Sequence, residues 1–114
     1  MAHMSAYQLW TAEAIAPSGV ATSAAIDIGK SNAIALHVTA LTGTLPDVDF
    51  TYSVSTSKDG TYITGNSTFA TAVAAADVLD LAPEAAGWIK IIATEAGGAN
   101  TATLTAVLAI QDSD

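Results

Sequence analysis

The run Val48-Asp49-Phe50-Thr51-Tyr52-Ser53-Val54-Ser55 decides the fold class. Val48, Phe50, Tyr52 and Val54 alternate with Asp49, Thr51, Ser53 and Ser55. A period of two puts alternate side chains on opposite faces of a strand, so the aromatic face turns inward and the polar face outward. The run ends at Ser57-Lys58-Asp59-Gly60, and Asp-Gly between two β-rich runs is a hairpin signal. Thr61-Tyr62-Ile63-Thr64 then returns as the partner strand.

The same alternation spreads in both directions. In Ala33–Leu41, Ile34, Leu36, Val38 and Ala40 share one face, and Ala35, His37 and Thr39 the other. In 101–110, Ala102, Leu104, Ala106, Leu108 and Ile110 oppose Thr103, Thr105, Val107 and Ala109. Trp88 to Thr94 is rich in β-formers. With Glu95 to Asn100 as its loop, it is expected to pair with 101–110 as the central hairpin. Ala24 to Gly29 reads as a short strand ending in a glycine turn. The Ala-rich stretch Phe69 to Leu81 fits a helix by propensity. Alternation and its β surroundings favour two short strands with a bend near Ala75-Ala76. The fold class is all-β: a jelly-roll-like β-sandwich or barrel of about eight short antiparallel strands.

With 114 residues the chain fits one domain. Met1 to Met4 reads as an expression scar, and residues 5–114 as a single β domain. Within it, 5–16 is an N-terminal arm or an edge strand. Eleven acidic residues against three lysines leave a net charge of −8. Nucleic acid and anionic membrane surfaces are therefore poor partners, since both demand cationic side chains. No apolar run approaches the length of a transmembrane span, and no secretory signal is evident. The Asn66-Ser67-Thr68 sequon is then a chance match. Only 12% of residues are charged while 51% are apolar, so part of the outer surface is expected to lie against another protein.

Candidate chemistry is sparse. There is no cysteine, and His37 is the one histidine outside the scar, which leaves no zinc set. Asp47 and Asp49 share a strand face, but the Asp-x-Asp-x-Asp-Gly calcium pattern is missing. Among the serines none sits in a Gly-x-Ser-x-Gly elbow, and no phosphate loop occurs. Asp27, Asp77 and Glu95 are acids that a small glycoside hydrolase would use, yet nothing brings two together. The expectation is a non-enzyme without metal or cofactor. Trp88 is expected in the core. Tyr7, Leu9 and Trp10 are the candidate interface residues: as an arm they would dock on a neighbouring subunit, and otherwise they fold back on their own domain.

Three stretches taken in order resemble the small cement, or head-decoration, proteins of tailed bacteriophages. They are Ala24-Ala25-Ile26-Asp27-Ile28-Gly29, the Phe50 to Gly60 strand and turn, and Gly87-Trp88-Ile89-Lys90-Ile91-Ile92 followed by Gly97-Gly98 and Thr103-Leu104-Thr105-Ala106. The Phe69 to Ala76 stretch has no counterpart in that pattern. The resemblance implies a capsid-stabilising protein, made in the host cytoplasm and carried on the virion surface. It would clamp the major capsid protein from outside as a homo-oligomer, a trimer or dimer. The rival reading is a ligand- or receptor-binding β module of a phage tail or baseplate, using aromatics such as Tyr52, Tyr62 or Trp10.

Overall fold

The computed structural model describes residues 4–65, 69–98 and 100–112. The sequon at 66–68 and residues 1–3 of the scar lie outside them. The described residues form ten strands: β1 (Met4–Ile15), β2 (Val20–Thr22), β3 (Ile26–Asp27), β4 (Ser31–Thr42), β5 (Val48–Ser55), β6 (Ile63–Thr64), β7 (Ala70–Val73), β8 (Asp77–Leu81), β9 (Trp88–Glu95) and β10 (Ala102–Asp112). Met4, counted with the scar from the sequence, opens β1 opposite Gln111.

All pairings are antiparallel, in two sheets. One runs β1-β10-β4-β8. The other runs β2-β9-β5-β6, with β3 also beside β9 and β7 also beside β5. Two of the ten strands are continuations. Ser23 bridges β2 and β3 along β9, its amide donating to the Ile91 carbonyl and its hydroxyl accepting from the Ile91 amide, each at 2.9 Å. Gly65 and Phe69 likewise donate to the Tyr52 and Phe50 carbonyls, at 2.9 and 3.2 Å, carrying β6 into β7 along β5. Eight strands then remain, nested as a rolled hairpin. First pairs with last (β1 with β10), second with seventh (β2/β3 with β9), third with sixth (β4 with β8) and fourth with fifth (β5 with β6/β7). This is the double Greek key of a jelly roll, as expected from the strand count.

The core lies between the sheets, where the alternating sets meet. Leu104, Ala106, Leu108, Phe50, Val48, Leu36, Ile89 and Ile91 are fully buried, each such side chain contributing roughly 1.5–3 kcal/mol by leaving water. Among the described residues every buried side-chain nitrogen or oxygen has a hydrogen-bond partner. The Ala-rich stretch forms two strands with a bend at Ala75, and the bend carries the chain from one sheet to the other: β7 pairs with β5 and β8 with β4.

Three expectations are corrected. β9 and β10 are not a hairpin; they lie in opposite sheets, and the loop after Glu95 crosses between them. A bulge opposite Thr105-Ala106 shifts the phase of β4, so Leu41 is buried and Ala40 exposed. Trp88 is half-buried and outward-facing, because its neighbour Ile89 takes the core position.

Candidate interaction surface

Residues 5–15 belong to β1, an edge strand rather than an arm. The three candidate docking residues therefore separate. Trp10 is buried in the core of its own domain at 6% exposure, Leu9 packs half-buried against that core, and Tyr7 is exposed. Register shifts between Gln8 and Trp10 and between Trp10 and Glu13, with Ala12 at φ 50°, break the alternation in β1. These shifts conceal the inward position of Trp10 from a period-two reading. They also make a poor template of an edge that would otherwise recruit another strand.

The carboxylates considered for chemistry are each tied to nearby backbone. Asp27 Oδ1 accepts from the Gly29 amide, Asp49 Oδ1 from Ala72, and Asp77 Oδ1 from Val78. Glu95 is buried at 1% exposure and accepts from the amides of Ser18 (3.1 Å), Gly97 (2.7 Å) and Gly98 (2.9 Å). Burial alone would raise its pKa, but the three donors outweigh burial and hold it below the ordinary value. It is a clamp joining two loops. The alternation Ile89, Ile91, Ala93, Glu95 marks it as inward-facing, a signal lost when the strand is ended at Thr94. Among the described residues no group of three His, Cys, Asp or Glu is placed to hold a metal ion.

The aromatics of the rival reading are occupied. Tyr52 is buried at 3% exposure and donates to Glu84 Oε1 at 2.7 Å. Burial, then that bond and the Glu84 charge, raise its pKa to about 12. On the outer face of the six-stranded sheet, Lys90 Nζ sits 4.2 Å from the Tyr62 ring centre and Lys58 Nζ 5.9 Å from that of Trp88. These cation–π contacts cover the ring faces that a sugar would stack on.

The outer face of the four-stranded sheet is different in kind. Strand register aligns Ala6, Ala109, Ala35 and Asp80 in one row, and Gln8, Val107, His37 and Val78 in the next. Thr105 and Thr103 continue the face along β10. The interior strands β10 and β4 present no carboxylate in these rows; Asp80 stands on the edge strand. The centre is a pavement of Ala, Val and Thr, half-buried only by its own neighbours.

No family model matches the chain, and no curated protein matches it. Among solved structures it is similar to a chain of the Aeromonas sobria serine protease–chaperone complex, at 17% identity and a TM-score of 0.56, over all of this chain and 27% of that one. This chain thus spans about a quarter of that neighbour, and at such identity the likeness is one of fold. A chitosan-binding module of a Paenibacillus chitosanase/glucanase aligns over 95% of this chain and 92% of its own, at 12% identity and a TM-score of 0.42.

Proposed function

We propose that this chain is a virion structural protein of cement or decoration type. It binds the major capsid protein from outside the shell of a tailed bacteriophage, and its role is assembly rather than catalysis. The observation that carries the reading is the outer face of the four-stranded sheet. A chain of net charge −8 leaves its broadest strand surface without carboxylates in the central strands and builds it from small apolar and hydroxyl side chains. Such a surface costs little to dehydrate, and a contiguous weakly polar patch of this extent is characteristic of protein contact. The ordered resemblance in the sequence supplies the choice of shell as the place of assembly. Cryo-electron microscopy of phage heads prepared with and without this chain tests the proposal. Jelly-roll density on the outside of the heads, present only with the chain, is expected. Heads of identical density in both preparations overturn it.

A further inference from the structure

We infer that the outer face of the four-stranded sheet is covered by a second copy of this chain, in a two-fold, sheet-on-sheet dimer. The inference rests on the proposed assembly role and names the neighbour at that face. Three observations single out a copy of the chain itself.

The first is charge. Two molecules of net charge −8 repel each other, and the repulsion is least where no carboxylate is presented. Ala109, Val107 and Thr105 on β10, with Ala35 and His37 on β4, form such a zone. The opposite face does not, since Asp49 lies on the outward side of β5.

The second is shape. A two-fold contact brings a surface against itself, so it must be self-complementary. Rows of Ala, Val and Thr make a surface without large knobs or deep holes, and a nearly flat surface matches its own copy. Exposed larger side chains, Met4 and Val78, stand only on the edge strands.

The third is area. Four strands about 4.8 Å apart and about ten residues long at 3.4 Å each present about 600 Å². Two copies would bury about 1,200 Å², which reaches the lower bound of specific, stable interfaces.

The test is sedimentation equilibrium on the full chain from micromolar to millimolar concentration. The expected mass at the upper end is twice that of the chain. Val107→Asp and Ala35→Asp, each placing a carboxylate at the centre of the face, should weaken association at least about a hundred-fold. Thr51→Asp on the outer face of the other sheet should leave it unchanged. Far-UV circular dichroism checks folding. A variant that does not fold is replaced by Val107→Cys, the single thiol of an otherwise cysteine-free chain. On mild oxidation it should give disulfide-linked dimer in clear excess over Thr51→Cys. A monomer at all concentrations overturns the inference, as does a dimer indifferent to both Asp variants, or equal crosslinking of the two cysteine variants. A monomer that still decorates phage heads overturns the dimer while leaving the cement role in place. Failure to decorate, with dimerisation intact, does the reverse.

Discussion

Replacing Gly65 by Ala should be costly for one specific reason, the ring of Tyr52. A Cβ built at Gly65 overlaps Cε2 and Cζ of that ring. The ring cannot simply yield. It is held by the bond from its hydroxyl to Glu84 at 2.7 Å and by packing on Phe69, with ring centres 6.0 Å apart. Overpacking of this sort costs about 1–3 kcal/mol, and loss of the hydroxyl bond adds about 1 kcal/mol. Gly65→Ala should therefore destabilise the wild-type chain by about 2–4 kcal/mol. In a Tyr52→Val background the obstacle is gone. Gly65 is not among the glycines of positive φ, so the same substitution should then be neutral or stabilise by about 0.4–1 kcal/mol through the unfolded chain. Urea unfolding of the four proteins, followed by tryptophan fluorescence, completes the double-mutant cycle. An equal cost of Gly65→Ala in both backgrounds refutes the reasoning, and so does a wild-type cost below about 0.5 kcal/mol.

Three other outcomes are expected. Trp10→Ala should lower stability by about 3–5 kcal/mol as a core truncation, whereas Tyr7→Ala should stay within about 0.5 kcal/mol; denaturant midpoints compare them. Glu95 has a folded pKa below its unfolded value of 4.5, so its contribution is complete above that value and is lost as pH falls through the folded pKa. The melting temperature should thus fall less steeply with acid in Glu95→Gln than in the wild type, and parallel curves would remove the carboxylate from the argument. Tyr52 is raised from 10.0 to about 12, so between those pH values the unfolded chain has released a proton that the folded chain retains. Stability should decline with rising pH across this window, and Tyr52→Phe should flatten the decline.

Alternation along single strands was legible at once. The inward sets of β5 and β10 are read correctly from residue order, and so is the division of Phe69 to Leu81 into two strands, because a side-chain period of two is a local property. Partners are not local. Trp88 to Glu95 and Ala102 to Asp112 both alternate, and nothing in either run says that the six-residue connection spans the roughly 10 Å between sheets instead of folding into a hairpin. Bulges were equally hidden. One extra residue in β4 exchanges Ala40 for Leu41, and two irregularities in β1 turn Trp10 into the core while leaving Tyr7 outside. The small-residue composition of the proposed docking face was visible on β4 and β10 separately. That Ala109 lies beside Ala35, and Val107 beside His37, is a matter of register, which long-range pairing alone sets.

The pairing of β1 with β10 sets a timetable for synthesis. The first strand to leave the ribosome finds its partner only when the last is complete, since Met4 lies opposite Gln111 and Ile15 opposite Ala102. Until then an apolar ribbon ending in Ile15 has no sheet to join, and closing so long a loop makes folding slow. The irregular stretch around Ala12 then has a second use. A ribbon kinked in the middle pairs poorly with the same segment of another nascent chain, so the bulges that seat Trp10 in the finished domain also protect the chain while it waits.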